Sequence, residues 1–90
     1  VPEIGMLYLE YARKRLRAFL AQINRLLESE FPYPQSELAL ERLKLWFERR
    51  LADLDSFAHE SDETTVRETC IVALTELFDY LPILGFLLRS

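Results

Sequence analysis

The sequence is poor in the residues that turn chains and build chemical sites. Its 90 residues hold two glycines, four prolines, one cysteine and one histidine. So little turn material argues for few, long elements joined by short connections. The single cysteine, Cys70, excludes an internal disulfide. Small secreted domains usually carry several disulfides, so an intracellular, cytoplasmic setting is expected. With glycine only at positions 5 and 85 there is no Gly-rich phosphate loop. No stretch alternates with period two over a useful length, so strands are not expected. The longest uncharged apolar run, Leu81 to Leu88, falls far short of the roughly 20 residues of a membrane-spanning helix. A net charge of −4 and a pI near 5.0 give no general attraction for nucleic acid or anionic lipid. No signal peptide is visible, and the start on Val1 leaves room for a longer parent chain.

What is present is hydrophobic and charged material in globular proportion, 50% and 29%. A chain of this length buries roughly 60–65% of its unfolded surface, so residues 1–90 are expected to form one domain with a thin core.

Three helical patterns cover the chain. From about Pro2 to Ser29, Leu9, Ala12, Leu16, Phe19, Ile23 and Leu26 recur in alternating steps of three and four, a heptad seam. Ile4, Tyr8, Tyr11 and Ala18 make a second strip, which a further neighbour or another chain would cover. The segment "FPYPQS" ends this helix before Pro32, and Ser36 is the expected cap of the next. That helix spans about Glu37 to Ala58, with Leu40, Leu43, Phe47, Leu51, Leu54 and Ala58 on one face and Leu38, Leu45 and Trp46 off it. After "HESDE", Ser61 or Asp62 can cap a third helix, or Thr65 with Glu68 as a capping box. Its seam is Val66, Cys70, Ala73, Leu77 and Tyr80, widened by Ile71, Val72, Leu74, Phe78 and Leu81, which predicts a helix surrounded on most sides. Pro82 would lack the bond to Phe78 at a cost of ~3 kcal/mol inside a helix, so a new short helix is expected there. The fold class is therefore all-α: an antiparallel bundle of three main helices plus a short C-terminal fourth helix.

Catalytic constellations are missing. His59 has no second histidine for a His-Glu-x-x-His zinc spacing, and Cys70 sits among Ile71, Val72, Ala73 and Leu74, which predicts a buried, inert thiol. Arg50 and His59 stand nine apart, too far for one helical face. No enzyme, metal or cofactor is expected. The basic run Arg13, Lys14, Arg15 and Arg17 offers a phosphate-contacting face, and hence nucleic-acid binding, as the alternative function. The bland reading is a solvated face, with Glu10 and Lys14 in favourable i,i+4 order. Membrane-surface association through the apolar ending is a second alternative, weakened because only Arg89 supplies charge there. The leading expectation is a non-enzymatic interaction or oligomerisation module, with a protein partner or a second copy (a homodimer) on the strip Leu81, Ile83, Leu84, Phe86 and Leu87, supported by Tyr8, Tyr11 and Trp46.

Overall fold

A computed structural model describes the backbone of residues 3–29, 34–57 and 61–89, and the side chains of residues 5–29, 35–57 and 61–85. Three helices make up the architecture: α1 (Glu3–Leu27), α2 (Pro34–Asp55) and α3 (Glu63–Arg89). There is no strand among the described residues. The molecule is a rod of 47 × 19 × 16 Å.

The heptad seam of α1 forms as its spacing predicts. Leu9, Ala12, Leu16, Phe19, Ile23 and Leu26 are all buried. The second strip is a different one. Tyr8, Tyr11 and Ala18 are exposed, and the Ile4 side chain lies outside the described residues, while Leu20 is buried and Met6 and Leu27 lean on the core. Positions 6, 13, 20 and 27 are a heptad row flanking the seam. That row has Arg13 in it, and the cation hid the pattern. The two rows together make a face wide enough for two neighbours. α1 packs extensively on both α2 and α3, whereas α2 and α3 barely touch.

In α2 the fully buried positions are Leu40, Phe47 and Leu54, one per heptad, with Leu43 and Leu51 partly buried. Phe47 is the hub of the core. Its ring lies 4.9 Å from Phe19 of α1 and meets Tyr80 of α3 edge-on at 6.0 Å. Such tilted and edge contacts are the favoured aromatic geometries. The helix starts at Pro34, three residues before the expected start, so Ser36 lies within its first turn and is not its cap. Proline fits the first helical position because its missing N–H would have no partner there anyway. The helix ends at Asp55, before Ala58, which with His59 lies outside the described residues.

At the start of α3 the structure selects Asp62 as the cap. Its Oδ2 accepts from the Thr65 backbone N–H at 3.1 Å and from the Thr65 hydroxyl at 2.9 Å, and its carbonyl accepts from Val66 N–H at 3.0 Å. The capping box on Thr65 is not used. Two further expectations fail here. First, α3 runs unbroken through Pro82 to Arg89, so there is no separate fourth helix. Pro82 and Phe78 both face solvent, where water can serve the Phe78 carbonyl that proline leaves without a donor. Second, α3 is not surrounded. Val66, Cys70, Ala73, Leu74, Leu77 and Leu84 are buried, but Ile71, Val72 and Phe78 are exposed. Two neighbouring helices cannot cover a third on all sides.

Candidate interaction cleft

Because α2 and α3 both lean on α1 and hardly meet, a groove opens between them. Three contacts join the two helices across it. Trp46 Nε1 donates to Glu76 Oε2 at 2.7 Å, Arg50 Nη2 donates to Glu76 Oε1 at 3.1 Å, and Phe47 meets Tyr80. Beyond Arg50 and Glu76, lower numbers on α2 (Ser36 to Trp46) face higher numbers on α3 (Tyr80 to Leu84), so the two are antiparallel. Glu76 thus ties the helices together at one end of the groove. The Arg50 guanidinium also lies 4.8 Å from the centre of the Trp46 ring, so the indole is held at one face and at its N–H edge.

Beyond this tie the groove widens into a cleft of about 580 Å³. Leu40 and Leu84, almost wholly closed to solvent, belong to the core beneath it. Its walls are Ala39, Leu43 and Trp46 from α2 and Tyr80 and Ile83 from α3. Ser36 and Arg42 are its polar members. Trp46 and Ile83 are 46% and 52% exposed, so the walls present large apolar area to water. A shallower hollow on the outer side of α2 continues from Arg42 and Trp46 to Leu45 and Arg49.

The expected partner strip is therefore divided by the fold. Ile83 and Leu84 line the cleft with Trp46, and Leu81 leans on the core instead. The side chains of Phe86 and Leu87 lie outside the described residues. Tyr8 and Tyr11 are exposed on α1 and do not line the cleft. Ala39, Arg42 and Tyr80 were not expected at such a site. Tyr80 falls on the α3 seam by spacing, and only the separation of α2 from α3 brings it to a cleft wall.

The basic run of α1 is split between tie and surface. Arg13 Nη2 donates to the Leu54 carbonyl at 2.8 Å, and its Nε lies 3.0 Å from Asp55 Oδ1, too oblique for a hydrogen bond. Arg17 Nη2 donates to the same Asp55 oxygen at 3.3 Å. The last turn of α2 has no basic residue of its own. Arg13 supplies one from the neighbouring helix, where a cation meets the negative end of the helix dipole. Lys14 and Arg15 have no ion-pair partner among the described residues.

Cys70 is fully buried among the seam of α3. Burial pushes its thiol pKa up, and the nearby Arg13 charge only partly opposes this. A thiol held protonated is a weak nucleophile. Among the described residues no three His, Cys, Asp or Glu side chains gather as a metal site would need, and no helix is long and apolar enough to cross a membrane. No protein-family model, no curated protein and no solved structure matches this chain.

Proposed function

We propose that the protein is a non-enzymatic helical interaction module that buries apolar surface of α2 and α3 against a protein partner or a second copy. The cleft between these helices carries the reading. It is apolar, formed by two helices that lean on α1 and are joined at one end by the Glu76 tie, and it presents Trp46, Tyr80 and Ile83 to water. Aromatic and aliphatic side chains grouped in this way are typical of interface centres. The exposed Ile71, Val72 and Phe78 on the outer face of α3 add apolar area that a larger assembly would cover. In this reading the module works in the cytoplasm, where its one thiol stays reduced.

Sizing chromatography with light scattering, over a hundredfold range of concentration, tests it together with the variant Ile83→Asp. Ile83 is half exposed, so the substitution leaves the fold intact. The expected result is a concentration-dependent dimer, or a complex with a partner, that Ile83→Asp weakens at least about tenfold. Strict monomers that bind no protein or helical peptide, with Ile83→Asp indistinguishable from the parent, would sink the proposal.

A further inference from the structure

The cleft has a sign of charge as well as a shape. At 100° per residue, Arg42 and Arg49 fall on the Trp46 side of α2, as does Asp53, which lies 4.0 Å from Arg50 beyond the tie, while Glu37, Glu41 and Glu48 fall on the opposite side. Both arginines border the hollows around Trp46, and Arg42 lines the cleft itself. Like Lys14, Arg15, Arg25 and Lys44, neither has an ion-pair partner among the described residues, so both are available to an incoming carboxylate. On the α3 wall the lining residues Tyr80, Ile83 and Leu84 are uncharged and Glu76 is held by Trp46 and Arg50, while the exposed Asp79 stands one turn before Ile83. An acidic protein thus carries a basic rim on the α2 side of an apolar cleft.

The geometry points to an acidic amphipathic helix of a partner protein as the occupant. The inference rests on the interaction-module reading and names the partner's chemistry. Three helices with a groove between two of them leave the position that a fourth helix fills in a four-helix bundle. The α2 wall from Ser36 to Trp46 rises about 15 Å, enough for about three helical turns and anchors at i, i+3 or i+4, and i+7. Leucine-type anchors would enter between Leu43, Trp46, Tyr80 and Ile83. Carboxylates on the edge facing α2 would meet Arg42 and Arg49, where charge complementarity speeds encounter and sets orientation. A second copy docking cleft to cleft would bring only the same lining residues, none of them acidic, and so would offer Arg42 no carboxylate from the cleft itself.

Trp46 is the only tryptophan, so its emission reports occupancy of the cleft directly. The probe is a helix-favouring peptide of about 16 residues with leucines on one face and glutamates flanking them. The control carries lysine in place of every glutamate. The expected result is saturable binding of the acidic peptide, at least about tenfold tighter than the lysine peptide, with the gap narrowing as salt rises. Arg42→Glu combined with Arg49→Glu should reverse the preference while leaving the melting temperature unchanged, since both side chains are exposed. Ala39→Phe, which fills the cleft without altering charge or adding a second indole, should abolish binding. Equal affinity for both peptides, or no binding of the acidic one at about millimolar concentration, overturns the inference. If peptides fail to bind but the chain forms a stable dimer that shields Trp46, the occupant is a second copy. That outcome overturns the acidic-helix assignment and leaves the interaction reading standing. Failure of both peptides with a strict monomer overturns both.

Discussion

The indole N–H of Trp46 on α2 donates to the carboxylate of Glu76 on α3 at 2.7 Å, and Arg50 from the next turn of α2 takes the same carboxylate. One acidic side chain thereby fixes the spacing of two helices that otherwise hardly touch. Glu76 and Arg50 are both about one-quarter exposed, so solvent screens the pair and its contribution is modest.

Glu76→Ala should therefore cost about 1–2 kcal/mol in urea unfolding. Trp46→Phe should cost less, and the double variant should fall short of the sum by about 0.5–1 kcal/mol. Strict additivity in that cycle would mean that the bond does not couple the helices. Trp46 emission in Glu76→Ala should also shift, because the indole loses its acceptor.

Arg13→Lys should destabilise by about 1 kcal/mol, because one ammonium cannot serve both the Leu54 carbonyl and Asp55 as a planar guanidinium does. Arg13→Ala should cost more, about 1–3 kcal/mol, since it leaves the Leu54 carbonyl with only the longer bond from Phe57 N–H at 3.3 Å and removes the cation beside Asp55. Equal stability of all three proteins in urea would show that the end of α2 does not depend on α1 for its cation.

Pro82→Ala should stabilise. Alanine restores the bond to the Phe78 carbonyl and favours the helix, for a gain of about 1–3 kcal/mol. In a domain this small that is a rise in melting temperature of about 4–8 °C for each kcal/mol. An unchanged or lower melting temperature would mean that the proline ring makes contacts that offset its missing donor.

Cys70 predicts a loss of stability in alkali. Its folded pKa lies above the ordinary value of 9.0, so the folded chain keeps the proton that the unfolded chain releases. The contribution is intact below that pH and declines as pH rises through it towards the raised folded value, at up to about 1.4 kcal/mol per pH unit. Unfolding free energies between pH 8 and pH 10, with Cys70→Ala as reference, should show the excess slope only in the parent. Parallel curves would place Cys70 in contact with water.

The helices and most of the core were legible because their causes are local. The row from Leu9 to Leu26 and the row Leu40, Phe47 and Leu54 are periodicities of the chain itself, and the caps and prolines bound them. The errors came where a neighbour decides. Whether Ile71 and Phe78 are covered depends on how many helices surround α3, which periodicity cannot count. Whether Pro82 breaks a helix depends on which side it faces. Arg13 read as one cation in a basic run because its acceptor, the Leu54 carbonyl, lies on another helix. The cleft was half legible. Trp46, Ile83 and Leu84 were expected at a partner surface, but Tyr80 and Arg42 joined them only through the register of α2 against α3.

The central position of α1 also bears on how the chain folds. The α1–α2 hairpin can form from neighbouring segments and already joins Phe19 to Phe47. α3 must then return to lie beside α1, closing a loop that spans the whole of α2, and this is the costly long-range step. A chain truncated before Glu63 would keep one of the two large helix–helix interfaces, whereas one starting at Pro34 would keep neither. Slow hydrogen exchange should accordingly concentrate in the middle of α1, the one segment that no partial opening of the outer helices can expose on both sides.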